Sequence, residues 1–430
     1  MMLSTAAAAQ QRPPLTLDEA VKIALQRNPD LQRQILLSLS AQQDVIISRA
    51  NILPSVDFNA SLGGLRTNGL VVVQGTTVGN STTANVTRYF GNYRASLSIT
   101  QLVFDGGKWW NNLSAAQLGA QAGETQVDEQ RLQITYLVEQ RFYELLRAQR
   151  QLQVFADAAK RSRDQADYTQ RLFEGGRATQ ADVYAARANR DNDEVTRLGQ
   201  ERNVELARAD LAIAVGIDPT EALAVAEPQN LMSDPAQPPP APDAVARALE
   251  QRPSLKAFAL TAEQNRKLAS AAKGGYWPRV ELFASLDRTT QYFPTFVDRP
   301  DLNSQGSAGV NITWNLFNGL GTRAAVEKAN IQTALAENDL ANGRRNVASD
   351  VEKAVAQLAT ARQQARVAQQ AEQTAKEGLR LARTRQEVGV GTQLEVRDAE
   401  LKLTQAQLNV VGSLVDGREA EAALRRAQGG

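Results

Sequence analysis

Cysteine and histidine are both absent from the 430-residue chain. Their absence removes disulfides, thiolate nucleophiles, Ser-His and Cys-His pairs, and zinc sites of the usual kind. Histidine is also the side chain that most often transfers protons near neutral pH, so an enzyme becomes the less favoured class. We therefore predict no catalytic residues, no cofactor and no metal site.

Long apolar runs and an excess of one charge are missing as well. No run of about 18 or more apolar residues exists, so the sequence predicts no transmembrane helix. Lys plus Arg (48) nearly cancels Asp plus Glu (47), which leaves no bulk field that would attract nucleic acid or anionic lipid. Aromatic residues are only 5% of the chain, and its richness in Ala, Gln, Leu and Arg favours long helices with narrow apolar seams.

The N-terminal stretch MMLSTAAAAQQ lacks both the basic region and the apolar core of a secretory signal. Its run of alanines is either what remains of a small-residue cleavage site or part of a polar leader. We expect residues 1–14 to be a disordered leader remnant.

The chain repeats itself at a fixed distance. FEGGRATQADV at 173–183 matches QEVGVGTQLEV at 386–396, and VFDGG at 103–107 matches LFNGL at 316–320, both at an offset of 213 (392 − 179). Stretches that keep their spacing in this way indicate two copies of one structural unit.

Earlier stretches repeat at a second offset. ALQRNPDL at 24–31 matches ALEQRPSL at 248–255, and LPSVDFNASL at 53–62 matches WPRVELFASL at 277–286, both at 224 (278 − 54). The offset changes only once, and insertions fall in loops, so a loop must lie at that point. We predict an internal duplication with a first repeat at 15–217, a Pro-rich linker at 218–242 and a second repeat at 243–430.

Two very long helices are predicted from the placement of proline. None occurs between Pro54 and Pro219, and none after Pro300. Within those spans, residues 108–173 and 321–387 are rich in good helix formers, with apolar residues three or four apart. At 1.5 Å per residue each helix would run roughly 100 Å. Helices of that length must lie against neighbours, as in coiled coils.

Each long helix is predicted to turn into a returning helix at a short corner. A glycine suits the left-handed end of a helix, a threonine caps the next one, and an acid follows in its first turn. The returning helix of the first repeat covers 179 to about 215, and a first helix at about 16–52 would stack on it. The corner residues are Gly176, Thr179 and Asp182 in one copy and Gly389, Thr392 and Glu395 in the other.

Four strands of about 10 residues are predicted between these helices. Segments such as NYRASLSIT and SAGVNITWNLF alternate apolar and polar residues, and their length suits a membrane-spanning strand. Long polar loops are expected at about 66–88 and 292–306. Four strands cannot close a membrane barrel, whereas three chains would supply twelve; a soluble sandwich is the alternative. Aromatic residues near the strand-to-helix junctions favour the membrane, where such residues form interface girdles: Phe104, Trp109, Trp110, Tyr276, Trp277, Trp314 and Phe317.

These features together resemble the TolC-like outer-membrane efflux proteins. The resemblance is carried by LTLDEAVKIALQRNPDL, by FDGG and FNGLG before the long helices, and by the duplicated Gly-x-x-Thr corners, and it runs from Leu15 to Arg426. It implies a homotrimer in the bacterial outer membrane, with a twelve-stranded β-barrel in the lipid bilayer and an α-helical coiled-coil tunnel through the periplasm. It also implies docking to a periplasmic adaptor (membrane fusion) protein and to an inner-membrane transporter of the RND, ABC or MFS type. The expected function is the exit duct of a tripartite efflux or type I secretion system, with no cofactor.

The resemblance also implies roles for the corner residues, here called the hairpin tips. Acidic residues after the second tip would ring a constriction, at Glu395 and Asp398, with Asp182 as the acid of the first tip. An ordinary solvated helix face is the alternative. In the family, a basic or bulky residue at the position of Gly391 can help to keep the constriction closed. Arg177 in the first tip could take that role instead, or it could simply be solvated. The predicted adaptor-docking residues are Gly176, Arg177, Thr179, Gly389, Gly391 and Thr392.

Two other functions are compatible with parts of the pattern. A periplasmic adaptor also combines a long helical hairpin with β-structure, but it has one hairpin where this chain predicts two. A soluble coiled-coil scaffold leaves the membrane-length strands and the tryptophans unexplained. For the Pro-rich stretch at 234–243, the family resemblance implies a contribution to a collar around the tunnel; the alternative is a passive, extended spacer between the two halves.

Overall fold

The computed structural model describes residues 14–74, 81–220, 223–229, 231–291 and 302–430, so the predicted leader lies almost wholly outside it. These residues form eight α-helices and one four-stranded antiparallel sheet. In chain order the elements are α1 (Leu17–Arg27), α2 (Pro29–Ala50), β1 (Ser55–Gln74), β2 (Ser81–Phe104), α3 (Lys108–Glu174), α4 (Gln180–Val215), α5 (Ala241–Gln251), α6 (Pro253–Lys273), β3 (Arg279–Thr290), β4 (Asn303–Thr313), α7 (Gly321–Glu387) and α8 (Gln393–Gln428).

The chain divides into two compact units. The helical unit comprises Met1–Leu39, Gln121–Ala259 and Asn338–Gly430, and the sheet unit comprises Ser40–Ala120 and Leu260–Glu337. Each unit therefore takes segments from both halves of the sequence.

Helix lengths recur along the chain. Both long helices, α3 and α7, have 67 residues, and both returning helices, α4 and α8, have 36. The shorter helices match as well, with 11 residues in α1 and α5, and 22 and 21 in α2 and α6. The predicted bounds of the long helices, 108–173 and 321–387, agree with the structure to within a residue.

The helical unit is held by narrow apolar seams on its long helices. In α3, Val138, Phe142 and Leu145 are fully buried against α1, α2 and α4. In α7, Val351 and Leu358 are buried against α5 and α8. These are the predicted three- and four-residue spacings, and they show that a thin stripe of each helix carries the packing.

The first helix is not continuous as predicted, because it breaks at Asn28. Pro29 has no N–H for a continuing helix, and Asn28 itself is extended (φ −63°, ψ 125°). Its side-chain oxygen accepts from the N–H groups of Asp30 (2.9 Å) and Leu31 (3.3 Å), which caps α2. Its side-chain nitrogen donates to the carbonyl of Ala214, 3.1 Å away at the end of α4.

A corresponding break separates α5 from α6 at Arg252, which is also extended (φ −67°, ψ 120°). Arg252 donates to the carbonyl of Ala427 at the end of α8 (3.4 Å) and to Oε1 of Glu129 on α3 (3.1 Å). The second carboxylate oxygen of Glu129 accepts from the N–H of Ser254 (3.2 Å) at the start of α6. Arg252 and Glu129, both buried and charged, therefore bind the end of α8 and the start of α6, as Asn28 alone binds the end of α4 and the start of α2 at the first break.

The strands are longer than predicted in the first hairpin. β1 and β2 have 20 and 24 residues and pair continuously from Ser55 with Thr100 to Gln74 with Ser81. Most of the segment 66–88, predicted as a polar loop, is therefore strand. β3 and β4, with 12 and 11 residues, are close to the predicted length, and most of the second loop lies outside the described residues. Sheet order is β1-β2-β3-β4.

The segment before α5 packs against the second hairpin of helices. Pro235 is buried against Gly417 of α8, where an added Cβ would come within 2.2 Å of the proline ring. The N–H of Ala236 donates to Glu421 (2.6 Å), and Asp234 lies 3.7 Å from Arg366 of α7. The Pro-rich stretch is therefore fastened to α7 and α8 at its start, which argues against a passive spacer there.

Candidate functional site

The first hairpin tip is closed by a left-handed glycine. Gly176 has φ +71°, which an L side chain rarely adopts. The N–H of Gly176 donates to the carbonyl of Phe173 (2.9 Å), and that of Arg177 donates to Leu172 (2.7 Å). This is the paired-bond ending that terminates a helix cleanly. Arg177 itself is exposed.

Thr179 and Asp182 cap the returning helix reciprocally. The hydroxyl of Thr179 accepts from the N–H of Asp182 (3.3 Å), while the Asp182 carboxylate accepts from the Thr179 hydroxyl (2.7 Å) and N–H (2.9 Å). These bonds, first from the hydroxyl and then from the backbone, lower the pKa of Asp182. The carboxylate predicted to join a constriction is thus engaged by its own helix cap.

The second tip is also closed by a left-handed glycine. Gly389 has φ +83°, and the N–H groups of Val390 and Gly391 both donate to the carbonyl of Arg385, at 3.0 and 2.9 Å. A Cβ on Gly391 would lie 2.8 Å from the backbone nitrogen of Gln386, closer than real Cβ atoms come. In this conformation, position 391 cannot hold the bulky residue that, by the family resemblance, would help to close the constriction.

The two acids that follow this tip are exposed, and each has a basic neighbour in the same hairpin. Thr392 caps α8, because its hydroxyl accepts from the N–H of Glu395 (3.2 Å), and the Glu395 carboxylate lies 3.6 Å from Arg385. The Asp398 carboxylate lies 2.6 Å from the Lys402 ammonium, one turn further on. Sequence reasoning missed both basic partners, although Lys402 stands at the i+4 spacing that signals such pairs.

The aromatic residues cluster where strands meet helices, as predicted. Phe104 ends β2, and Trp109 and Trp110 lie in the first turn of α3 with ring centroids 4.8 Å apart. The indole of Trp314, just after β4, donates to the carbonyl of Tyr276 (3.1 Å) in the turn before β3. Trp109 is half-buried, and the other six are exposed: Phe104, Trp110, Tyr276, Trp277, Trp314 and Phe317.

The sheet has one apolar face, and that face is exposed. Leu97 of β2 pairs with Phe58 of β1 on one side and with Leu286 of β3 on the other, and Leu282 pairs with Val310 of β4. All five side chains are exposed. The neighbouring rows point to the opposite face and are polar, for example Asp57, Ser98, Ser285 and Ser307. An exposed apolar face of this extent marks an interaction with a membrane or a partner.

Comparison with known proteins identifies the family of the chain. The model of the outer membrane efflux protein family matches residues 20–217 and 244–430. The chain belongs to this family. The protein is therefore an outer-membrane efflux protein, a transport protein of the TolC-like kind, and the adaptor and scaffold alternatives fall away.

The proteins similar to this chain are distant from it in sequence, and the solved structures among them share its fold. The chain is 23% identical over 397 residues to the proteases secretion protein PrtF of Dickeya chrysanthemi, covering 88% of this chain and 80% of that one. It superposes on the Campylobacter jejuni CmeC outer membrane channel with a TM-score of 0.79 at 18% identity, covering 96% and 85% of the two chains. The outer membrane protein VceC of Vibrio cholerae gives 0.78 at 20% identity, covering 96% of both.

Within the ranges that the structure describes, no helix combines the length and apolarity needed to cross a membrane. The same residues contain no group of three or more Asp or Glu side chains placed to hold a metal ion.

Beyond the predicted residues, the structure shows a polar cluster between the hairpins of the efflux protein. Arg397 of α8 makes a two-pronged contact with Asp193 of α4, at 2.7 and 2.8 Å, and donates to Ser162 of α3 (3.2 Å). One turn later, Glu400 accepts from Arg383 of α7 at 2.9 Å. Sequence reasoning missed this cluster, because the partners are scattered along the chain.

Proposed function

We propose that three copies of this outer-membrane efflux protein assemble into one export duct with a twelve-stranded β-barrel. The observation that carries the proposal is the sheet, whose outer strands β1 and β4 have no further strand beside them among the described residues. Open edges favour pairing with another chain, and a closed barrel removes them altogether. The exposed apolar face would then meet lipid, the polar face would line the lumen, and the aromatic residues would lie at the membrane interface.

An internal duplication underlies this architecture in our proposal. The matching helix lengths support it, as do the two breaks, since Asn28 and Arg252 stand 224 apart and the carbonyls they bind, Ala214 and Ala427, stand 213 apart. The repeats would be 15–217 and 243–430, joined by the linker 218–242, with 1–14 as a leader remnant.

The partners of the duct follow from its family. We infer docking to a periplasmic adaptor and, through it, to an inner-membrane transporter that delivers the cargo, as in tripartite efflux or type I secretion. The description of the family, outer membrane efflux protein, supports efflux, and the name of PrtF, a proteases secretion protein, supports secretion. The tips are the proposed docking residues, because their exposed turns are rigidly closed: Gly176, Arg177, Thr179, Gly389, Gly391 and Thr392.

A constriction is proposed at the start of α8. Glu395 and Asp398 are three residues apart, share one helix face and are exposed. In three copies, Glu395 and Asp398 would place six carboxylates around the opening. Asp182, the third acid predicted at the constriction, would take part only as the residue that caps α4 at the first tip. A ring of carboxylates favours cations, and the basic neighbours Arg385 and Lys402 would moderate that preference.

Electron microscopy of the detergent-solubilised protein tests the assembly. A threefold particle with a central opening and a detergent belt is the expected result. A particle without threefold symmetry, or one without a lumen, would contradict the proposal. Conductance recordings then test the constriction, since Glu395→Gln with Asp398→Asn should lower the preference for cations.

A further inference from the structure

Arg397 lies in the sequence between the two proposed constriction acids and is held by two other helices. Its guanidinium makes two parallel contacts with the Asp193 carboxylate of α4 and one with the Ser162 hydroxyl of α3. The Arg397 and Asp193 side chains are only 19% and 16% exposed. A planar two-pronged contact of this kind fixes geometry more strictly than a single bond.

Both members of the pair are held in their charged forms. Burial raises the pKa of Asp193, but hydrogen bonds from Arg397 and Ser162 outweigh burial and leave that pKa below its usual value. The hydrogen bond to Asp193 likewise raises the pKa of Arg397. The contact is therefore an ion pair throughout the ordinary pH range.

The pair and the acids lie on different faces of α8. At about 100° per residue, Glu395 and Asp398 are about 60° apart, and Arg397 points about 130° away from the direction midway between them. Fixing Arg397 against α3 and α4 therefore fixes the direction in which the two acids point. Two further contacts continue the fastened face of α8 at the next turns, from Arg383 to Glu400 and from Arg161 to Thr404, both at 2.9 Å.

We propose that Arg397 is a positioning residue of the export duct, which sets the rotation of α8 so that Glu395 and Asp398 face the opening. The proposal rests on the proposed constriction. It assigns to the ion pair a role in ion preference that is separate from its own charge.

Charge changes of opposite sign make the test sharp. Arg397→Gln removes a positive charge and Asp193→Asn removes a negative one. If the pair acted only through its field, the first variant would raise the cation-to-anion permeability ratio and the second would lower it. If the pair positions the acids, both variants lower the ratio, by about twofold or more. Arg397→Lys keeps the charge but loses the two-pronged contact, so positioning predicts a loss there too.

The measurement is the reversal potential of the full-length protein in planar bilayers under a potassium chloride gradient. Arg380→Gln is the matched control, because Arg380 is exposed and, among the described residues, its only ion pair is with Glu377 of its own helix, at 2.8 Å. That variant should leave the ratio unchanged. Dissociation of the trimer on heating, measured for each variant, identifies the variants that fail to assemble. If one of them fails, Ser162→Ala is the milder variant with which to test the same contact.

The outcomes separate this inference from the proposed constriction. If Glu395→Gln with Asp398→Asn leaves the ratio unchanged, the constriction itself is wrong. If that double variant lowers the ratio but Arg397→Gln and Asp193→Asn shift it in opposite directions, the constriction stands and the positioning role is refuted. An unchanged ratio in Arg397→Lys would refute it as well.

Discussion

Replacing Glu129 with glutamine should destabilise the helical unit by about 3 kcal/mol or more, because it breaks a buried ion pair from one side. Glu129 lies 3.1 Å from Arg252, and the two side chains are only 11% and 6% exposed. Glutamine would leave the guanidinium charge without a counter-charge where water cannot replace it. It would also weaken the bond that Ser254 donates at the start of α6.

A double-mutant cycle isolates the pair. Arg252→Met alone should cost a similar amount, since the Glu129 carboxylate then remains buried and unpaired. The variant that carries both Glu129→Gln and Arg252→Met has no buried charge left. We expect it to be more stable than the two single effects would add up to, by about 2 kcal/mol.

Urea unfolding of the detergent-solubilised protein, followed by far-UV circular dichroism, measures these differences. Glu205→Gln is the matched control, because Glu205 is 57% exposed and pairs with Arg208 of its own helix. Exposed pairs of this kind contribute about 0.5 kcal/mol or less. If Glu129→Gln cost no more than the control, the assignment of Glu129 and Arg252 as a buried charged pair would be refuted.

Three further predictions concern single positions. Leu320 has φ +70°, where its counterpart Gly107 has +79°, so Leu320→Gly should stabilise the sheet unit by about 1 kcal/mol in the same urea assay and Gly107→Leu should destabilise it. Burial raises the pKa of Glu419 from 4.5 to about 7, so its contribution to stability is present at pH 4.5 and is lost as the pH rises through about 7; Glu419→Gln should flatten that part of the stability profile. Gly391→Ala should distort the second tip, seen as faster proteolysis there, whereas Gly378→Ala, in open space on the same hairpin, should not.

The long helices and tips were predictable because their signals are local. Proline-free stretches, left-handed glycines and capping threonines act within a few residues, and the structure places them as expected. The break at Asn28 also had a local signal, the Asn-Pro dipeptide, which a single-helix interpretation overlooked. The family resemblance then connected these pieces to the outer membrane.

Strand lengths and side-chain partners, in contrast, depend on contacts between residues that are distant in the sequence. Residues 66–74 and 81–88 are mostly polar apart from LVVV at 70–73, which suggested a loop, and the pairing between β1 and β2 shows that they are extended. Arg397 and Asp193 are separated by 204 positions, so no spacing rule could join them. Arg385, which lies across the tip from Glu395, shows the same limit, whereas Lys402 was predictable from its i+4 spacing to Asp398.

The open edges of the sheet have a consequence for how such a protein is made. A single copy carries an exposed apolar face bounded by two strands, β1 and β4, whose outer edges lack partners among the described residues. Such a chain can satisfy those edges with any other extended chain that it meets. In the proposed trimeric assembly, delivery must therefore keep new chains apart until three can join, and the yield of correct assembly would depend on their local concentration. Overproduction should favour aggregation over assembly, because the same unpaired edges serve both.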